Sequence, residues 1–169
     1  MTRVGFGFDL HPLVAGRPLV LGGVTVPAEV GLDGHSDADV LTHAIGEALL
    51  GALALGDLGR HFPDTDPRYR GVSSLVLLAE VGRMVGERGG RVVNVDATVL
   101  AQAPRLAPFL SEMTKRLADT LGLAPDTVSV KAKSPEGLGL VGRQEGMAAM
   151  AVVAVEVEEP HTPGQERRR

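Results

Sequence analysis

Apolar and polar residues alternate from Val4 to His11, with Val4, Phe6, Phe8 and Leu10 on one face and Gly5, Gly7, Asp9 and His11 on the other. Period two is the signature of a half-buried strand, and the Phe-bearing face is the one expected to meet the core. Between Pro18 and Pro27 two apolar runs flank Gly22 and Gly23, which predicts a β-hairpin. Val40, Leu41, Ala44, Ile45, Ala48, Leu49, Ala52 and Leu53 then recur at three- and four-residue spacing, predicting a helix with Ser36 or Asp37 as its N-cap. Residues 57–72 are dense in Gly, Pro and Asp and read as a long loop, of a kind that is usually functional when folded. A second helix is predicted over Ser73–Arg88, stopped by Gly89 and Gly90, and a Val-rich strand over Arg91–Leu100. The Pro104–Pro108 segment leads into a third helix reaching Leu121. Thr127–Lys133 alternates as a strand, residues 134–146 form a Gly-rich loop, and Gly146–Val157 makes a last strand.

This order predicts one α+β domain over residues 1–157, a ferredoxin-like layer of mainly antiparallel or mixed sheet with about three helices on one face. The tail, residues 158–169, carries two Pro and three terminal Arg and is expected to be disordered.

Composition narrows the chemistry. The chain has no Cys, so thiolate metal sites and cysteine nucleophiles are excluded, and any metal must be held by His, Asp or Glu. Aromatic residues are 3%, Trp is absent and the net charge is −4, which argues against a nucleic-acid partner. No run of about 18 apolar residues occurs, and a strand pattern begins at once, so neither a signal peptide nor a membrane span is expected and the default compartment is the cytoplasm.

Asp9 and His11 stand two apart on the first strand, so both side chains leave the same face and can converge on one ion. His43 sits in the first helix, four residues after Asp39 and four before Glu47. A helix crossing the strand would supply His43 as a third ligand, and such a set leaves a fourth tetrahedral position open for a substrate oxygen. Asp39 would orient His43. His35 and Ser36 precede the helix, where free N–H groups and the dipole favour phosphate, although capping by Ser36 accounts for the same residues. Asp57, Asp64 and Asp66 occupy the long loop, where a solvated turn is the alternative. Lys133, Ser134, Glu136 and Arg143 surround Gly137, Gly139 and Gly142, a mixture suited to phosphate and a hard cation but also found in plain hairpins.

Taken together, the blocks Gly7 to His11, His35 to His43, Ala48 to Gly59, Phe62 to Pro67, Ala101 to Arg105 and Gly142 to Gly146 resemble the 2-C-methyl-D-erythritol 2,4-cyclodiphosphate synthase family over residues 1 to about 157. The resemblance implies a homotrimer with active sites between subunits. It implies a substrate, 4-diphosphocytidyl-2-C-methyl-D-erythritol 2-phosphate, cyclised with release of CMP in non-mevalonate isoprenoid biosynthesis. By the same motifs Asp9, His11 and His43 would hold Zn²⁺ or another divalent cation, and Glu136 would hold Mg²⁺ or Mn²⁺ with the substrate diphosphate.

His35 and Ser134 would act on the reacting phosphates, and Asp9, Leu10, His11, His35 and Ser36 would be among the substrate-binding residues. Asp57, Leu58, Gly59, Phe62, Pro63, Asp64, Thr65 and Asp66 would hold the methylerythritol. Ala101, Gln102, Ala103, Pro104, Arg105, Leu106 and Ala107, with Ala132, Lys133 and Ser134, would form the cytidine pocket, and Pro135, Glu136, Leu140 and Arg143 would also be substrate-binding, Leu140 at a position next to the trimer axis. The chain departs from the family pattern at Lys133 and Ser134, where threonines are frequent, at Leu140 in place of an aromatic, and at Glu47 in place of an Asp. A phosphohydrolase could use the same open metal, and a trimeric small-molecule binder would close it with a fourth ligand.

Overall fold

The structure, a computed structural model, describes residues 1–158. The tail expected to be disordered lies, beyond Glu158, outside the described residues. The elements are β1 (Thr2–Ala15), β2 (Leu19–Leu21), β3 (Val24–Val26), β4 (Val30–Leu32), α1 (Val40–Ala52), α2 (Leu58–His61), α3 (Ser74–Glu87), β5 (Gly90–Leu100), α4 (Leu110–Leu121), β6 (Val128–Lys133), α5 (Gly139–Gly142) and β7 (Gly146–Val157). Five strands form a mixed sheet in the order β4-β1-β7-β5-β6, and β2 pairs with β3 as the predicted hairpin. β7 runs antiparallel to both β1 and β5, whereas β5 and β6 are parallel and joined through α4. The short edge strand β4, paired with the end of β1, has no signal in the hydropathy pattern.

Layering follows the α+β expectation, but the connectivity does not follow the ferredoxin-like one. That motif runs β-α-β-β-α-β, whereas here β1 is followed by the short strands β2 to β4, then by α1 to α3, β5, α4, β6 and β7. The parallel pair β5 and β6 takes its own helical crossover, and β7 then enters between β1 and β5.

One helix explains the core. α1 is apolar nearly all round, with Val40, Leu41, Ala44, Ile45, Ala48, Leu49 and Leu50 fully buried, and such a helix must be covered on several sides. It lies across β1 and β7 and is flanked by α3. Gly5 and Gly7 make this approach possible. A Cβ on Gly5 would stand 1.8 Å from the Ala48 carbonyl oxygen, and one on Gly7 would stand 2.0 Å from that of Ala44. Each large side chain sealed beneath the helix, such as Ile45 or Leu49, contributes about 1.5–3 kcal/mol.

This contact corrects the orientation expected for β1. The helices cover the face carrying Gly5, Gly7, Asp9 and His11, while Phe6 is 63% and Phe8 is 52% exposed on the opposite face, beside exposed Val4, Leu10 and Val152. Glycine has no hydropathy, so its face looks empty in a pattern, although a missing side chain is what admits a helix backbone.

The long loop is folded, as expected. It contains the single turn α2, capped by Asp57, and a 3₁₀ turn at Pro67–Tyr69, capped by Asp66. Phe62 and Tyr69 meet edge to face with centroids 5.4 Å apart. The Gly-rich loop after β6 likewise contains a helical turn, α5.

Candidate functional site

The close seat of α1 on β1 brings His43 over the end of the strand, where Asp9 and His11 leave the same face. Asp9 Oδ2 lies 2.9 Å from His11 Nε2 and 2.9 Å from His43 Nδ1, and the two imidazole nitrogens are 3.1 Å apart. All three groups are only partly buried. Burial alone would raise the Asp9 carboxyl, but hydrogen bonds from His11 and then His43 outweigh it and hold Asp9 well below the usual carboxylate range. Burial would lower His11, and the Asp9 carboxylate, with a backbone bond to Asp33, reverses this and raises it. The triangle thus concentrates one negative charge between two rings.

Two imidazoles and one carboxylate converging from partly open positions suit a divalent cation of borderline softness. Ligands about 2.0–2.1 Å from a tetrahedral zinc stand roughly 3.3 Å apart, so the triangle needs only a slight expansion to accept one. Among the described residues this is the one such group, and Glu136 belongs to none.

Neighbouring groups fix the rings. His11 Nδ1 faces the Asp33 carbonyl at 2.9 Å, leaving Nε2 for the centre of the triangle. Arg17 holds the loop that carries this carbonyl, donating to Asp33 Oδ1 and to the carbonyls of Gly34 and Ser36. Gly34 leaves room for this ring, because a Cβ there would stand 3.0 Å from the His11 ring and 3.0 Å from the Ala38 side chain. His43 Nε2 points away from the triangle, toward Ser74 Oγ at 2.8 Å and Ser36 Oγ at 3.1 Å.

Two sequence expectations fail at this point. The N-cap of α1 is Asp39, not Ser36 or Asp37. Asp39 also does not orient the His43 ring: its buried carboxylate accepts from Thr42 N and Oγ1 and from the N–H groups of Gly22 and Gly23. It ties the β2–β3 turn to the helix end instead, and burial pushes it up against these four donors. Asp39 thus serves both the local cap, through Thr42, and a tertiary contact with a turn that sequence spacing cannot see.

The triad opens into a cleft lined also by His35, Ser36, Glu47, Leu58, Gly59, Phe62 and Asp64. His35 Nε2 bonds the Asp66 carbonyl, which links the long loop to the segment preceding α1. Glu47 accepts from the Leu58 N–H at 3.0 Å, and burial pushes its carboxyl up. Asp57 and Asp66 are engaged as caps, accepting from Arg60 N and Arg68 N, with an Asp66–Arg68 ion pair. Pro63 accepts from the Asp66 N–H, and Thr65 is exposed between them. Leu10 belongs to the open sheet face, away from the triad. Tyr69 and Leu77 line the cleft without having been singled out in the sequence, and nothing in their spacing marks them.

A second pocket lies between the ends of β5 and β6, lined by Ala101, Gln102, Pro104, Arg105, Leu106, Ala107, Ala132, Lys133 and Ser134. It shares no lining residue with the triad cleft. Ala101 N donates to the Lys133 carbonyl at 3.1 Å, fastening its two walls. Ala103 sits in the same exposed turn, and the Pro135 carbonyl accepts from Leu138 N. Ser134 Oγ accepts from the Glu136 N–H, and Gln102 Oε1 from the Gly137 N–H. Arg143 pairs with Glu145. Leu140 lines a further hollow with Leu10, His11, Pro12 and Glu145, sharing His11 with the triad cleft.

Comparison with known proteins gives a consistent result. The family model described as YgbB family matches residues 2–156. The chain is 58% identical over 163 residues to a protein of Pelotomaculum thermopropionicum named 2-C-methyl-D-erythritol 2,4-cyclodiphosphate synthase, covering 96% of this chain and 98% of that one. It is 63% identical over 150 residues to the protein of the same name from Laribacter hongkongensis, covering 89% and 93%. A solved structure of 2C-methyl-D-erythritol-2,4-cyclodiphosphate synthase in its CDP-bound form superposes with a TM-score of 0.84 at 39% identity, covering 91% of this chain and 100% of that one. The chain belongs to the YgbB family.

Proposed function

We propose that this YgbB-family chain cyclises 4-diphosphocytidyl-2-C-methyl-D-erythritol 2-phosphate to 2-C-methyl-D-erythritol 2,4-cyclodiphosphate and CMP, as a step of non-mevalonate isoprenoid biosynthesis. The observation that carries the reading is the convergence of Asp9, His11 and His43 within hydrogen-bond distance of one another at the mouth of a cleft. Relatives at 56–63% identity bearing the synthase name support it.

An oxygen of the 2-phosphate attacks the β-phosphorus. The bond from that phosphorus to the oxygen bridging the two phosphates breaks, and CMP leaves with the bridging oxygen. No protein nucleophile is needed, so catalysis is positioning and charge neutralisation. Asp9, His11 and His43 would hold Zn²⁺ or another divalent cation, and Glu136 would hold Mg²⁺ or Mn²⁺ with the substrate diphosphate. These cations supply positive charge to phosphate oxygens that must approach one another.

The chain's own groups do the rest. Ser36 Oγ accepts from Ala38 N and lies beside the His43 N–H, so its own hydrogen is free for a phosphate oxygen. His35, held by the Asp66 carbonyl, and Ser134 meet the reacting phosphates. Leu58, Gly59, Phe62 and Asp64 enclose the methylerythritol, and the pocket at 101–107 and 132–134 takes the cytidine.

Within one chain these two pockets are separate, and the sheet face bearing Val4, Phe6, Phe8 and Leu10 is apolar and open. Both features support a closed homotrimer in which one subunit's cytidine pocket faces its neighbour's metal cleft. Residues 1–157 would act as one domain. Among the described residues no helix is long and apolar enough to cross a membrane. We place the protein in the cytoplasm, with a phosphorylated small molecule as substrate and neither nucleic acid nor membrane as partner.

Incubation with the cytidyl diphosphate substrate, followed by ³¹P NMR, tests the reaction. The cyclic diphosphate and CMP are expected in equal amounts. Release of inorganic phosphate, or of a linear diphosphate, would assign the site to hydrolysis.

A further inference from the structure

The Nε2 side of His43 meets a chain of groups that the reaction leaves unused. Ser74, the first residue of α3 and fully buried, places its Oγ 2.8 Å from His43 Nε2 and hydrogen-bonds Asp37 Oδ1 through the same oxygen. Asp37 Oδ2 also accepts from the Ser74 N–H at 3.0 Å.

The direction of this chain is determined. A carboxylate only accepts, so the serine hydrogen goes to Asp37, and the serine oxygen must accept the N–H of His43 Nε2. That assignment leaves Nδ1 directed at Asp9 and His11. We propose that Ser74, backed by Asp37, is a positioning residue that fixes His43 with Nδ1 as its metal-binding nitrogen. The inference rests on the metal-site reading above.

His11 has a counterpart, since its Nδ1 is fixed by the Asp33 carbonyl. The two rings are therefore held from behind by different means, a backbone oxygen for one and a hydroxyl–carboxylate pair for the other. Ser36 Oγ, at 3.1 Å, is a weaker alternative for the same Nε2 hydrogen. The chain also joins the metal cleft to the end of the long loop, because Asp37 N donates to the Val72 carbonyl and Gly71 N to the His35 carbonyl.

The test measures zinc affinity by competition with a chromogenic chelator, and the visible absorption of the Co²⁺-loaded protein. Ser74→Ala is expected to weaken zinc binding roughly 10–100-fold, the usual cost of removing a group that orients a ligand. Its Co²⁺ spectrum should change, because the ring is no longer held. Ser74→Thr keeps the hydroxyl and should retain most of the affinity and the spectrum.

If Ser74→Ala does not fold, Asp37→Asn gives a second reading: its amide can offer an N–H to the serine and reverse the chain, so zinc binding should weaken as well. Unchanged affinity and spectrum in Ser74→Ala, with binding lost in His43→Ala, would overturn the role of Ser74 and leave the metal site standing. Equal zinc uptake by the unsubstituted chain and His43→Ala would overturn the metal site, and the positioning role with it.

Discussion

The triad cleft is built around converging ionisable side chains, whereas the pocket at 101–107 and 132–134 brings no such cluster together. In the first, an acid and two imidazoles meet within about 3 Å and each is held by named partners behind it. In the second, three alanines and a proline stand with Gln102, Arg105, Lys133 and Ser134 around a turn whose walls are fastened by a main-chain bond from Ala101 to Lys133. Charge needs side chains, and shape does not. Deleting a side chain should therefore be severe in one pocket and mild in the other.

The comparison is sharpest at His43. His43→Ala should reduce bound zinc from one per subunit to a trace and lower kcat/KM by about 10³-fold, roughly 4 kcal/mol of lost transition-state stabilisation. Elemental analysis and CMP release check both. Near-normal activity in a zinc-free variant would break the contrast at its stronger end.

If the two pockets of one active site come from different subunits, separating subunits should disable both without damaging either. Phe8→Lys introduces charge on the open sheet face and leaves the helix-covered face untouched. A monomer by light scattering is expected, with zinc retained and activity lowered roughly 10²-fold or more, since positioning of the two phosphates is lost. A fully active monomer would show that one chain suffices.

Glu136 tests whether the side of the second pocket carries any essential charge. It is exposed, has a left-handed backbone, and stands alone among acids, so a hard cation there must take most of its ligands from the substrate phosphates. Glu136→Gln should lower kcat by about 10–100-fold with little change in CDP affinity. Calorimetry should find Mg²⁺ binding only with CDP present. Tight Mg²⁺ binding to the ligand-free protein would assign the residue another role.

How far the two regions were legible follows from the same distinction. Asp9, His11 and His43 can be read from spacing, because period two on a strand and a helix beside it dictate convergence. The hairpin, the three long helices and the last strands were legible for the same reason. Which face of β1 the helix covers was not, since Gly5 and Gly7 act through what they lack. The tie from Asp39 to the Gly22–Gly23 turn, and Ser74 and Asp37 behind His43, depend on segments 16 to 37 residues apart meeting in space, and no local pattern encodes that. The pocket proposed for cytidine was visible only through resemblance, as its alanines, proline and single polar residues form no pattern that points to a ligand.

A smaller effect comes from pH, and it belongs to the triad alone. In the metal-free chain Asp9 is held low and His11 is raised. Asp9 therefore stabilises the fold above its ordinary range and ceases to as pH falls through its lowered value. His11 stabilises it fully below its ordinary value near 6.5, and that contribution is lost as pH rises through the raised one. The metal-free protein should lose Tm on going from mildly acidic to alkaline pH. Zinc must displace the His11 proton, so its affinity should fall on acidification, this one group contributing up to about tenfold per pH unit. A zinc affinity flat from pH 8 to 5 would exclude His11 as a ligand.

The smallest effect is expected at Lys133, where the contrast predicts tolerance. Its ammonium is exposed and makes no hydrogen bond or ion pair among the described residues, whereas its carbonyl accepts the Ala101 N–H that holds the pocket together. Lys133→Ala removes the first and keeps the second. An exposed charge facing a nucleotide phosphate is worth about 0–1 kcal/mol, so CDP affinity should fall no more than about fivefold, and what is lost should fade further as salt is raised. Calorimetric titration with CDP at two ionic strengths measures both. A loss near a hundredfold would mean that a side chain, not the main chain, does the recognising there, and the division between the two pockets would have to be abandoned.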